Sequence, residues 1–427
     1  MVANGRAPTR PGVALALLTI VYAFNFLDRQ IIGILAQPIK ADLALSDTQL
    51  SLLGGLAFAL FYCTLAVPIA VLADRANRSW IITAALMLWS GFTALCGAAQ
   101  SFTQLFLARL GVGVGEAGGV APSYSLIADF FPPEQRARAL GVFSMAVPIG
   151  AGLGIYFGGW IASNINWRAA FVVVGLAGLL FAIPFRLLLR EPPRGRFDPP
   201  APPAAPFRDV LQLLAGKPAF WLLALGAAAS SMMGYGLIFW MPSYFQRSLG
   251  LSLIETSWFY GTLGLLGGVA GIWLGGVLGD RLGARNRAAY ARVPALAFAL
   301  TVPFYVLGLS LTWLPGVFLA LIVPAALALV WLGPVIAAVQ GMAPPAMRAT
   351  ASAIFLLVNS LIGIGGGTLF LGRLSDLFAG RYGADSLKWA IFAGLPLYLL
   401  AAGFMLLAAR RLERDWPSLP AAAPASA

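Results

Sequence analysis

Apolar residues gather along the chain in about twelve blocks, each set off by a short turn rich in Arg, Asp, Pro or Gly. The blocks run over roughly 12–38, 47–73, 79–99, 102–130, 137–163, 167–189, 218–246, 255–279, 289–312, 315–342, 348–375 and 387–410. Each reaches the ~20 residues a helix needs to cross ~30 Å of hydrocarbon. Several run longer, which implies tilt or extension beyond the bilayer. The pattern predicts an all-α integral membrane protein of twelve transmembrane helices, numbered here as spans 1 to 12.

The blocks repeat. Val71-Leu72-Ala73-Asp74-Arg75 closes span 2, and Val277-Leu278-Gly279-Asp280-Arg281 closes span 8, 206 residues later. Phe131-Pro132-Pro133-Glu134-Gln135-Arg136 precedes span 5 and Ala343-Pro344-Pro345-Ala346-Met347-Arg348 precedes span 11, shifted by 212. Two offsets that agree within a few residues mark a duplicated six-helix bundle, the organisation of a carrier. The expected division is 1–189 for the first bundle, 190–217 for a linker, 218–410 for the second bundle and 411–427 for a tail. The linker opens as Arg190-Glu191-Pro192-Pro193, a semi-extended strap. It closes on Phe207-Arg208-Asp209-Val210-Leu211-Gln212-Leu213-Leu214, which reads as a short amphipathic helix at the membrane surface.

Charge sets the orientation. Only 10% of residues are charged, against about 25% in soluble domains. With both termini placed in the cytoplasm, 20 Arg and Lys fall on that side, six on the other, and Arg29 and Arg109 inside spans. That bias is the positive-inside rule, and it accounts for the net charge of +12 without nucleic acid. Cys63 and Cys96 both lie within apolar blocks and are expected as small core residues. The chain has no histidine, so histidine metal sites, triads and proton relays are excluded, and any proton-linked step falls to carboxyls. No cofactor and no metal is expected. A polytopic enzyme or receptor is disfavoured on the same grounds.

Asp74 and Asp280 sit at helix C-termini, the unfavourable end for a carboxylate. Each needs a compensating cation. Arg136 or Arg138 is the expected partner of Asp74, with Asp129 as a second candidate for the same network. Together with Arg75, Arg78 and Arg281 they form an expected cytoplasmic gate of ion pairs that make and break.

The turn Asp74-Arg75-Ala76-Asn77-Arg78, its echo after span 8, and Arg109-Leu110-Gly111-Val112-Gly113-Val114-Gly115-Glu116-Ala117 in span 4 resemble the motifs of the major facilitator superfamily. Asn25-Phe26-Leu27-Asp28-Arg29 in span 1, Ala121-Pro122 and Asp129 in span 4, and Pro148 to Gly154 in span 5 resemble its spinster-like branch. The resemblance implies two rocking six-helix bundles, with spans 1 and 4 lining the cavity. It also implies transport of sphingolipids or lysophospholipids.

Asp28, Arg29, Arg109 and Glu116 are the membrane-buried charges. A charge at that depth costs at least ~2.5–3.5 kcal/mol unless paired or wetted. Glu116 lies near the middle of span 4, with Arg109 two turns away on the same face. Asp28 and Arg29 fall between those depths, pointing about 100° apart. The expected pairing is Asp28 with Arg109, and Arg29 with Glu116 or substrate. Glycines 111, 113 and 115 already permit close packing, so four charges are an expensive glue and point to substrate and proton coupling. The second half offers Met233, Tyr235, Phe239, Trp240, Trp331 and Asn359 as an apolar, aromatic cavity wall. One ionic and one greasy wall suit an amphipathic anion such as a lysophospholipid or sphingoid phosphate. The expected partners are therefore that substrate, protons and membrane lipid, for a monomeric carrier in a cell (inner) membrane. A small organic anion or a drug is the alternative cargo.

Overall fold

The computed structural model describes residues 9–197, 206–283, 285–344 and 347–416. Among them, twelve helical passages follow the apolar blocks. Ten continuous stretches are long and apolar enough to cross a membrane. The last of these, Thr350–Asp415, holds both span 11 (Arg348–Tyr382) and span 12 (Ser386–Gly394 with Pro396–Asp415). Span 4 adds the twelfth as two pieces, Phe102–Glu116 and Val120–Phe130, broken just after Glu116. Large exposed apolar side chains such as Leu180, Leu187, Trp273 and Leu319 mark a surface that faces lipid rather than water.

Local chemistry explains the helix ends. Ser101, Asn77 and Asn166 accept backbone N–H groups at the starts of spans 4, 3 and 6, satisfying donors that a first turn leaves orphaned. Ser46 and Gln49 form a reciprocal capping box ahead of span 2. Span 2 then departs from a plain α-helix: Leu52–Leu56 is a π-helical turn between Asp47–Ser51 and Ala57–Arg75. In the linker, Phe207–Ala215 is helical, with Val210 and Leu214 buried. The prolines at 198–205 lie outside the described residues.

The chain forms two compact units that cut across the two sequence halves. One comprises Met1–Pro200, Gly234–Leu266 and Ile364–Gly394; the other comprises Ala201–Met233, Gly267–Gly363 and Leu395–Ala427. The first unit thus joins spans 1–6 to the ends of spans 7, 8, 11 and 12 distal to the Arg-rich side. Its core includes Leu18, Val21, Leu86, Trp89, Phe130, Phe143 and Phe185. Tyr22 stacks on Phe143 with ring centroids 4.5 Å apart. In the second unit, Tyr305 stacks on Tyr398 and Tyr290 on Trp416.

Spans 1 and 5 touch backbone to backbone. A Cβ at Gly150 would lie 2.2 Å from the Ala23 carbonyl oxygen, and one at Gly154 2.6 Å from that of Leu27. Rigid backbone cannot yield as a flexible side chain can. Gly150→Ala should therefore push the helices apart, at a cost of about 1–3 kcal/mol. At Gly152, a Cβ would meet only the Tyr156 ring at 3.9 Å. Thermal unfolding in detergent should show a clear fall in Tm for Gly150→Ala and little change for Gly152→Ala.

Candidate functional site

The buried charges of spans 1 and 4 converge in the first unit. Arg29 Nε donates to Glu116 Oε2 at 2.8 Å. Asp28 lies within electrostatic reach of Arg109 and Glu116, beside Thr93. Arg109 Nε reaches the Leu53 carbonyl at 3.5 Å, at the π-helical turn of span 2. A π-turn loosens the backbone ladder, and such turns concentrate at functional sites. Asp28, Arg109 and Glu116 are all but fully buried, whereas the Arg29 side chain keeps 15% exposure.

An aromatic box holds the Arg29 guanidinium. Its carbon lies 4.5 Å from the ring centroids of Phe58 and Tyr62 and 5.0 Å from that of Phe26. Phe58 itself packs with Ala59 and Ile364, and Tyr62 and Tyr235 lie against that cluster. Desolvated cation–π contacts are worth up to about 2 kcal/mol and hold the guanidinium plane fixed. The sequence reading missed this box because its rings come from two spans with no shared local pattern.

The site holds more polar capacity than its protein partners use. Arg29 Nη2, Arg109 Nη1, Asp28 Oδ1 and Glu116 Oε1 are buried without a close protein hydrogen bond among the described residues, with Thr93 beside Asp28 and Asn25 beside Glu116. Beside them a void of about 10 Å³ is lined by Tyr22, Asn25, Trp89 and Ser123, among others. Such a space accommodates about one water. Trp89 Nε1, also unpartnered, lies on the same lining residue set.

The expected aromatic wall divides. Tyr235 remains half-buried near Tyr62. Phe239 and Trp240 are buried in this structure. Gly54 leaves space that the Phe239 ring fills, Gly33 lies against the Phe239 backbone, and Trp240 Nε1 donates to the Thr368 carbonyl at 3.0 Å. In the second unit, Met233 is buried, Ser231 donates to Asn359 Oδ1 at 2.8 Å, and Trp331 packs near Phe355.

Of the expected gate residues, the structure describes the side chains of Arg75, Arg78, Asp129, Arg136, Arg138 and Arg281. Arg136 donates to the carbonyls of Ala128 and Phe131 and makes a further interaction besides these, and Arg138 is exposed. The side chains of Asp74 and Asp280 lie outside the described residues. Arg75 and Arg281 are exposed. Arg78 is buried instead: its Nη1 meets Asp129 Oδ2 at 2.6 Å and Ser125 at 2.8 Å, and its Nε lies 3.5 Å from Glu191. Asp129 also accepts the Gly195 N–H, and Glu191 accepts that of Ser79. This network ties spans 3 and 4 to the start of the linker, a role that only the pairing of distant residues reveals.

A second network occupies the distal end of the first unit. Arg247, at the end of span 7, grips Asp47 with two 2.6 Å bonds. Lys40 and Ser375 complete the Asp47 carboxylate at 2.6 and 2.7 Å. Asp376 of span 11 accepts the backbone N–H groups of Asp47 and Thr48, capping the first turn of span 2. Arg247 Nε also donates to Gln37, which in turn donates to Ser243. Spans 1, 2, 7 and 11 are thereby latched at one end.

The fold finds its counterpart among known proteins. The family description Major Facilitator Superfamily matches residues 18–368. The chain belongs to the major facilitator superfamily. It is a multi-pass membrane transporter. It is 34% identical to an MFS-type efflux pump of Mycolicibacterium smegmatis over 97% of this chain and 96% of that protein. It is 29% identical to human protein spinster homolog 1 over 87% of this chain and 74% of that one. The crystal structure of a bacterial homolog to the human lysosomal transporter spinster, inward-facing and unoccupied, superposes with TM-score 0.88 at 33% identity, covering 97% of this chain and 100% of that one. The spinster-like features of spans 1 to 5 thus have relatives across nearly the whole transporter.

Two predictions follow from these networks. The Arg78–Asp129 pair is buried, so leaving Arg78 without Asp129 should cost about 3–5 kcal/mol. The Arg168–Asp42 pair at 2.6 Å is more than a third exposed, and losing it should cost at most about 1 kcal/mol. Thermal unfolding of Asp129→Ala against Asp42→Ala tests this ordering, and equal losses would contradict it. For the latch, Arg247→Ala should increase labelling of a cysteine at Ser243 by a membrane-impermeant maleimide severalfold in a cysteine-free background. Unchanged labelling would show that Arg247 does not hold that end shut.

Proposed function

We propose that this transporter moves an amphipathic anion, such as a lysophospholipid or sphingoid phosphate, in exchange between proton-loaded and proton-free forms of the span 1–span 4 cluster. One observation carries the reading: Arg29 is the accessible member of a buried, charge-balanced tetrad, and Glu116 neutralises it. With both carboxylates ionised, the tetrad sums to zero and its arginines are occupied. Protonating Glu116 or Asp28 leaves one positive charge, and Arg29 gains capacity for a phosphate or carboxylate head group. The rings of Phe26, Phe58 and Tyr62, with Tyr235 near them, supply apolar surface beside that charge for the start of a tail.

The spinster relatives support a lipid-like cargo, and the Mycolicibacterium relative, named an efflux pump, supports a second reading with a drug as cargo. A small sugar acid is a third candidate, since a 28% identical relative is named a probable L-galactonate transporter. An aromatic box around a cation favours the amphipathic anion over a hydroxyl-rich sugar acid. We place the transporter in a cell (inner) membrane with both termini cytoplasmic, acting as a monomer. Asp74, Arg75, Asp280 and Arg281 are proposed as the exchanging ion pairs of a cytoplasmic gate.

Proteoliposomes with and without a pH gradient test this, using radiolabelled lysolipid, a hexuronate and a cationic dye as cargo. Glu116→Gln should keep lysolipid binding yet lose its dependence on the gradient, because the neutral amide mimics the protonated acid. Arg29→Ala should weaken binding tenfold or more, the equivalent of one charge-assisted hydrogen bond of about 1.5–3 kcal/mol. Normal gradient dependence in Glu116→Gln would move the coupling role to Asp28. Hexuronate or dye transport without lysolipid transport would overturn the lipid reading.

A further inference from the structure

A groove of about 550 Å³ opens on the membrane-facing surface between the start of span 7 (Pro218–Ser248) and the end of span 12 (Pro396–Asp415). Its walls include Pro218, Trp221, Leu225 and Leu407, and Arg410 and Arg411 stand at one end. Trp221, Leu225 and Leu407 are all more than a third exposed. The volume lies within the ~300–1,000 Å³ range of ligand sites. Both arginines are exposed, and neither has an ion-pair or hydrogen-bond partner among the described residues.

The nearby acids do not neutralise them. Asp415 is committed to the Ala219 N–H at 2.7 Å, and its carbonyl accepts from Lys217. Glu413 is exposed and forms no ion pair among the described residues. The Trp221 indole donates to the Leu214 carbonyl at 3.1 Å, which fixes its ring at the same level as the surface helix Phe207–Ala215. Indole rings at this depth mark the head-group layer of a bilayer. Apolar walls below, an indole at the rim and two free guanidiniums at the end match an acyl chain, a glycerol backbone and a phosphate in order.

We propose that this groove is a binding site for an anionic phospholipid of the Arg/Lys-rich leaflet, separate from the span 1–span 4 cluster. In a bilayer any lipid chain can cover the leucines at little net gain, so selectivity rests on the charge of the head. Guanidinium pairs hold a phosphate through several directed donors, which an unfilled topology anchor would not need.

Native mass spectrometry of the full-length transporter in detergent, with matched-chain phosphatidylglycerol and phosphatidylcholine added, tests the site. Phosphatidylglycerol should be retained preferentially. That preference should fall severalfold in Arg410→Gln/Arg411→Gln and in Leu407→Trp, which fills the groove while keeping both charges. It should persist in Arg414→Gln, an arginine of the same helix outside the groove, and in Arg29→Ala. Equal retention of the two lipids, or equal loss in Arg414→Gln, would overturn the proposal. Loss in Arg29→Ala alone would identify the lipid as cargo in the other site. Competition by inorganic phosphate would identify a free-anion site instead.

Discussion

A charge inside hydrocarbon must find a counter-charge, and that requirement organises the first half of this protein. Asp28 and Arg29 are adjacent on one helix and cannot satisfy each other, so both must reach span 4. The 2.8 Å bond from Arg29 to Glu116 meets half of this need. Asp28, set against Arg109, meets the rest at longer range. An ion pair this deep is weak support for stability, because desolvation offsets most of its Coulomb gain.

The glycines set where those charges meet. Gly150 and Gly154 of span 5 lie against the Ala23 and Leu27 carbonyls, fixing span 1 just before Asp28 and Arg29. Gly113 lies against the Phe58 backbone and Gly115 against that of Trp89, fixing span 4 between Arg109 and Glu116. Each contact is backbone against Cα, with no side chain to flex. The depth of all four charges is therefore inherited from helix packing. Phe58 serves both ends: its backbone seats Gly113 and its ring covers Arg29. A shift of span 2 would move the cation–π box and the span 4 register together.

How much of this was legible follows from the range of each signal. Spans, turns and the duplicated halves are encoded in contiguous residues, and hydropathy with a 206-residue repeat is enough to read them. The approach of Arg29 to Glu116 follows from depth along two helices, since 1.5 Å per residue places Glu116 near midplane and Arg29 about one turn outward of it. The latch on Asp47 draws on residues 40, 247, 375 and 376, none of which stands out locally. Phe239 and Trp240 looked like cavity aromatics because aromatic rings near a span centre carry no sign of what packs on them. Gly54, 185 residues earlier, opens the space that the Phe239 ring fills. The π-turn at 52–56 likewise depends on its neighbours, since Gly54 and Gly55 allow Phe239 and Thr368 to press against the helix.

The two halves share a turn but not its chemistry. After span 2, Arg78 is locked between Asp129 and Glu191, all within one unit. In the second half, Arg287 lies over Trp416, which stacks on Tyr290 and sits against Gly341. Neither arrangement needs the opposite bundle, so neither changes partners when two bundles rock. Ions that open and close a gate must be free to exchange. Arg78 and Arg287 are held within their own units, whereas Arg75, Arg281 and Arg285 of the two duplicated turns are exposed. The duplicated turn thus carries a buried arginine, Arg78, in one half, while the exposed Arg285 stands near the matching place in the other.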